Sequence, residues 1–138
     1  MNKFDVLIVE DELRIAELHA QFIRQHPRFN PVGIASTQAE TRRMIRVLKP
    51  DLILLDNFMP DGLGIELLRD LHLQQRLERC IVMTAYGSAE NAVEALKAGA
   101  FDYLTKPVDL KQFRAVVASA VSGTQSPPMQ TLPLRRST

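Results

Sequence analysis

The sequence predicts an α/β protein built on a doubly wound, five-stranded parallel sheet with five helices. Five short apolar runs alternate with five stretches of helical period. The stronger runs are apolar at consecutive positions, as strands covered on both faces require. Four of them stop on a polar or charged group that has no place in a core.

Phe4 to Val9 (FDVLIV) reads as the first strand. Leu13 to Gln25 follows as a helix with Ile15, Leu18, Phe22 and Ile23 on one face. Pro31 to Ala35 is a weaker second strand. Thr37-Gln38-Ala39-Glu40 fits a capping box, and Thr41, Met44, Ile45 and Leu48 stripe the helix it opens. Leu52 to Leu55 is the third strand, and Ile65, Leu68 and Leu71 mark the third helix. Cys80 to Met83 is the fourth strand, followed by an alanine-rich helix, Ala89 to Lys97, that ends near Gly99. Phe101 to Leu104 is the fifth strand. Asp109 with Gln112 caps a last helix striped by Leu110, Phe113, Val117, Ala120 and Val121. Right-handed crossovers make an open sheet with helices on both faces the default arrangement.

A chain of 138 residues suits one domain with a real core. Hydrophobic residues at 46% and charged residues at 24% place it among soluble globular proteins. A net charge of +1 gives no electrostatic preference for nucleic acid or an acidic membrane. The one cysteine, Cys80, opens an apolar run and reads as a buried small hydrophobe. The N-terminal apolar run is too short for a signal peptide or a span, so a reducing, cytoplasmic location is expected. Residues 1–122 form the expected domain. Residues 123–138, GTQSPPMQTLPLRRST, have three prolines and no periodicity and read as a flexible linker or tail. Arg135 and Arg136 within it read as solvated.

The polar strand ends carry the chemistry. FDVLIV runs into Glu10-Asp11-Glu12, LILL into Asp56, CIVM into Thr84, and FDYLT into Lys106-Pro107. Parallel strands bring these ends to one edge of the sheet, where ligands of open α/β sheets bind. If the first strand lies beside the third, as in the order 2-1-3-4-5, Asp11 and Asp56 converge. Glu10, Asp11 and Asp56 are hard oxygen donors whose mutual repulsion calls for a cation. Mg²⁺ suits such a site, and no His or Cys cluster argues for zinc. With Lys106 as a second positive charge and Thr84 as a hydroxyl, the set fits phosphoryl transfer to a carboxylate nucleophile. The plainer reading, polar strand ends that cap helices, is preferred for Glu12 and Asp61. Met59-Pro60 reads as loop-shaping. Gly62-Leu63-Gly64 lacks the third glycine and the position of a dinucleotide fingerprint.

Over residues 4 to 122 the chain resembles the receiver domain of two-component response regulators. LIVEDE is similar to that family's acidic pair, LILLDNFMPDGLG to its phosphorylation loop, and VMTAYG and FDYLTKP to its threonine and lysine motifs. The resemblance implies a flavodoxin-like fold with strand order 2-1-3-4-5. It implies that Asp56 accepts a phosphoryl group from a sensor histidine kinase, and that Glu10, Asp11, Asp56 and the backbone carbonyl of Phe58 hold Mg²⁺. Thr84 would bond the phosphoryl oxygens and Lys106 pair with their charge. Tyr103 occupies the switch aromatic position, with a half-buried strand tyrosine as the other reading, and Lys106-Pro107 resembles a peptide that is usually cis. Phe58 and Tyr86, each two residues beyond a motif residue, are expected to shield the acyl phosphate from water, and small Ala85 to leave the site open to a kinase.

The resemblance also implies the partners: a sensor histidine kinase, a second copy of the chain on phosphorylation, and DNA only through an output domain outside this chain. No membrane partner is implied. LIVEDELRIAELHAQFIRQHPRF with LLDNFMPDG resembles regulators that answer citrate and C4-dicarboxylate sensor kinases, which act in transcription. Three other functions compete. A haloacid-dehalogenase-type phosphatase would need a second aspartate where Phe58 stands. A flavin or nucleotide module would put phosphate against Glu10-Asp11-Glu12. A receiver used only for docking has no motif in its favour.

Overall fold

The computed structural model describes residues 3–73, 79–84 and 89–122. The expected tail from Gly123, with Ala85 and Tyr86, lies outside the described residues. Five parallel strands form one sheet: β1 (Phe4–Val9), β2 (Phe29–Ala35), β3 (Leu52–Asp56), β4 (Arg79–Thr84) and β5 (Asp102–Thr105). Their spatial order is β2-β1-β3-β4-β5, the order that the family resemblance implies. The helices are α1 (Leu13–Arg24), α2 (Gln38–Leu48), α3 (Gly64–Leu73), α4 (Ala89–Lys97) and α5 (Leu110–Ser122).

Strand alternation sorts the core into two layers. Leu7, Val9, Ile53, Leu55 and Val82 face a layer that includes Ile45 of α2, Leu67 and Leu68 of α3 and Ala95 of α4. Val6, Ile8, Leu54, Ile81 and Leu104 face Ala16, Ala20 and Ile23 of α1 and Phe113 and Val117 of α5. The three central strands therefore carry unbroken apolar runs, Val6–Val9, Leu52–Leu55 and Cys80–Met83, which is the pattern that marks them as parallel.

Several element boundaries differ from the sequence reading. β2 begins at Phe29, because an edge strand tolerates Pro31; its pairing with β1 shifts register between Val6 and Leu7. β3 and β4 run one residue further than expected at their carboxyl ends. Asp56 pairs with Met83, and Thr84 with Thr105, so both polar residues sit on the last rungs of the sheet. β5 runs from Asp102 rather than Phe101, and Lys106 follows it directly.

The buried face of α1 is also turned from the expected one. Ala16, His19, Ala20 and Ile23 are buried, while Leu18 is 46% exposed. Small Ala16 and Ala20 let the helix lie close to the sheet, and His19 stacks on Phe113. In α2, Thr37 caps the Glu40 N–H as expected, but Glu40 reaches back to the Ser36 N–H instead of that of Thr37. Asp109 caps α5 by accepting from the Gln112 N–H. Gly99, with φ 112°, closes α4, and the Ala100 N–H returns to the Ala95 carbonyl.

Candidate functional site

The carboxyl ends of β1, β3 and β5 bring three carboxylates and one ammonium together. Oxygens of Glu10, Asp11 and Asp56 lie within 4.8 Å of one another. Glu10 is buried immediately after β1, its N–H held by the Ala35 carbonyl at 2.9 Å. Lys106 reaches into the cleft from the end of β5. Its Nζ stands 2.7 Å from Glu10 Oε1 and 3.1 Å from Asp56 Oδ1. The second Glu10 oxygen accepts from the Glu12 N–H at 3.2 Å. Glu12 itself caps α1 through the Arg14 N–H, as its sequence position suggested. Asp11 is exposed.

Three carboxylates against one lysine leave excess negative charge in a partly desolvated cleft. Burial first, and then the charge of Glu10, push the Asp56 carboxyl up to about 6, with Lys106 acting in the other direction. Burial also opposes the charge on Lys106, but its contacts with Glu10 and Asp56 outweigh that and raise its pKa. An all-oxygen donor set with unneutralised charge fits a hard divalent cation.

The other expected site residues fall around this cluster. The Phe58 N–H donates to Asp56 Oδ1 at 3.4 Å, while the Phe58 side chain is 50% exposed. Thr84 is buried, and its hydroxyl donates to the Leu104 carbonyl at 3.4 Å, so its described hydrogen bond goes to β5 and not to Asp56. Tyr103 is half-buried on β5. The Lys106-Pro107 peptide is cis.

Two structural residues of the loop were not read from sequence. Buried Asn57 starts α3: its side-chain oxygen accepts from the Ile65 N–H at 3.2 Å and its carbonyl from the Gly64 N–H at 2.7 Å. Gly64 leaves room for the backbone of Asp56; a Cβ there would lie 2.5 Å from the Asp56 carbonyl oxygen. The available signal was the Asp-Asn step before a Gly-Ile helix start. Asp61 does cap a helix, as preferred, but the helix is α2, across the loop.

The fold and the cleft define a class: a doubly wound α/β domain with a carboxylate cluster and a lysine at the carboxyl edge of its sheet. A family model described as the response regulator receiver domain matches residues 6–118, and the chain belongs to that family. It is 43% identical over 114 residues to the transcriptional regulatory protein CitB of Klebsiella pneumoniae, covering 83% of this chain and 49% of that one. It is 46% identical over 103 residues to the transcriptional regulatory protein DpiA of Escherichia coli K12, covering 75% and 46%. The chain thus spans about half the length of these curated relatives. Among solved structures, the signal receiver domain of a LuxO repressor protein from Vibrio parahaemolyticus is similar with a TM-score of 0.80 and 29% identity, covering 87% of this chain and 91% of that one. Among the described residues, no helix is long and apolar enough to cross a membrane.

Proposed function

We propose that Asp56 is the phosphoacceptor of a signalling switch driven by a sensor histidine kinase. The observation that carries this is the buried Asp56 carboxylate, with Lys106 at 3.1 Å and the Glu10–Asp11 pair beside it. An Asp56 oxygen attacks phosphorus, the P–N bond to the kinase imidazole breaks, and an aspartyl P–O bond forms. Glu10, Asp11, Asp56 and the Phe58 carbonyl would hold Mg²⁺. Bound there, the ion neutralises phosphoryl charge. Lys106 supplies a second positive charge to the incoming phosphoryl group. The chain acts as an acceptor that assists its own phosphorylation and dephosphorylation.

Phosphorylation replaces one negative charge by roughly two and adds acceptor oxygens. Thr84 then exchanges its bond to the Leu104 carbonyl for the phosphoryl group. Tyr103 turns inward, and the face formed by α4, β5 and α5 shifts population between two packings. The regulatory names of the relatives support transcription control by the whole protein. In this reading an output domain carries that task, with residues 1–122 as the receiver and 123–138 as a linker toward it. The names also support a kinase of the citrate and C4-dicarboxylate branch. DNA contact belongs to that output domain, and phosphorylation favours a homodimer.

The test is acetyl phosphate with Mg²⁺, read by intact mass. One phosphoryl group is expected on the wild type and none on Asp56→Asn or after chelation. Labelling that persists in Asp56→Asn sinks the assignment.

A further inference from the structure

We infer that Asp61 and Gln38 form a clamp that positions the metal-holding loop against the N-terminus of α2, so that Asp61 is a positioning residue for the phosphoryl-transfer site. This rests on the functional reading above.

The loop from Asp56 to Gly64 folds back as a two-rung antiparallel hairpin, Phe58 opposite Leu63 and Met59 opposite Gly62. Met59 anchors the hairpin in the core, but Phe58 is 50% and Leu63 40% exposed, so burial secures only one of its strands. Its tip is held by hydrogen bonds. The Asp61 carboxylate accepts from the Gln38 N–H at 2.7 Å and the Ala39 N–H at 3.2 Å, the first two amides of α2. A carboxylate at a helix N-terminus gains from both the unpaired amides and the helix dipole. The Gln38 N–H, followed by smaller contributions including the Ala39 N–H and Arg42, holds the Asp61 carboxyl below the usual carboxylate range, against a desolvation cost.

The clamp closes in the other direction as well. Gln38 Nε2 donates to the Leu63 carbonyl at 2.6 Å and to Glu66 Oε1 at 3.2 Å. Glu66 Oε1 accepts from the Leu63 N–H at 3.1 Å. Gly62, at φ 144°, makes room for this arrangement, because a Cβ there would lie 2.6 Å from Gln38 Nε2. Leu63 is the rung partner of Phe58, so fixing Leu63 fixes the backbone of Phe58, the proposed carbonyl ligand. The third amide of α2, that of Glu40, is capped separately by Thr37. Among the described residues, the hydrogen bonds of Thr37 go to its own helix, to Glu40 and Thr41, so Thr37 serves to separate helix stability from loop position.

The experiment is a Mg²⁺ titration of the full chain followed by amide NMR shifts, with Asp61→Ala, Asp61→Asn, Gln38→Ala and Thr37→Ala. Asp61→Ala is expected to weaken Mg²⁺ about tenfold, as loss of an outer support of a metal site does. Asp61→Asn, which keeps one acceptor oxygen, should fall between it and wild type. Thr37→Ala should lower the melting temperature comparably and leave Mg²⁺ affinity within about twofold. Mg²⁺ should slow exchange of the Gln38 and Ala39 amides in wild type and not in Asp61→Ala. Gln38→Ala should weaken Mg²⁺ in the same direction, and it decides the matter if Asp61→Ala does not fold. Wild-type affinity in Asp61→Ala, or an equal loss in Thr37→Ala, overturns the clamp alone. A wild type that neither binds Mg²⁺ nor takes label overturns the functional reading, and the clamp's role with it.

Discussion

Lys106 lies closer to Glu10 than to the proposed acceptor: Nζ is 2.7 Å from Glu10 Oε1 and 3.1 Å from Asp56 Oδ1. One ammonium thus serves two buried carboxylates, and removing charge from either side has opposite consequences. Lys106→Met leaves Glu10 and Asp56 facing each other unpaired. Breaking a fully buried pair costs about 3–5 kcal/mol; the partial exposure of Lys106 reduces this to about 2 kcal/mol. Asp56→Asn instead removes a charge that burial opposes first and Glu10 second. Each pKa unit is worth roughly 1.4 kcal/mol, so a carboxyl raised from 3.8 to about 6 is destabilising by about 3 kcal/mol, cut by solvent at the cleft mouth to about 1–2. Urea unfolding at pH 7 without divalent cations should show Lys106→Met below wild type and Asp56→Asn above it. Shifts of the same sign would refute the shared-lysine account.

The same carboxyl gives a pH dependence whose sign can be worked out. Asp56 has its folded pKa raised to about 6, so the folded state holds its proton more tightly than the unfolded chain does. Its destabilising effect is absent below 3.8 and complete above about 6. The stability gap between wild type and Asp56→Asn should therefore open across that window and close in acid. Protonation also removes the proposed nucleophile. Labelling by acetyl phosphate at low Mg²⁺ should fall as pH drops through about 6, and higher Mg²⁺ should move that midpoint down. A midpoint that ignores Mg²⁺ would argue against a shared site.

Most of this cleft is legible in the sequence because parallel strands order their ends: strand polarity puts Glu10, Asp11, Asp56 and Lys106 on one edge of the sheet, and the strand order 2-1-3-4-5, which the family resemblance implies, brings Asp11 and Asp56 together. What was not legible depended on packing across the chain. Leu18 looked like core because leucine on a helical stripe usually is, yet the sheet took the Ala16–Ala20 face that allows closer approach. Asp61 read as a cap, but no local pattern says which helix it caps. Its partners Gln38 and Ala39 are more than twenty residues away.

Gly64 and Gly33 should respond differently to a methyl group. At Gly64 a Cβ would lie 2.5 Å from the Asp56 carbonyl oxygen and 3.0 Å from Leu55 Cγ, so either α3 or β3 must move. Gly64→Ala is expected to cost about 2–3 kcal/mol and to slow labelling. At Gly33 the nearest atom is Leu48 Cδ1 at 3.4 Å, the end of a flexible side chain. Gly33→Ala should stay within about 1 kcal/mol of wild type and label normally. Thermal unfolding and labelling rates check both.

His19 is a buried histidine whose Nδ1 has no hydrogen-bond partner among the described residues. It stacks on Phe113 at 6.0 Å between ring centroids and lies 6.1 Å from the Phe22 ring. Burial, with a smaller contribution from Lys106, lowers its pKa against the opposing pull of Glu10. It takes up a proton less readily folded than unfolded, so its stability contribution is complete above 6.5 and is lost as pH falls below that value. His19→Phe keeps an aromatic ring against Phe113 and removes the unpaired nitrogen. It should stabilise the fold by about 1 kcal/mol at neutral pH, with the gain widening as pH falls below 6.5. Denaturant unfolding at two pH values on either side tests this. A gain that does not grow in acid would mean that the ring's packing, and not its proton, sets the cost.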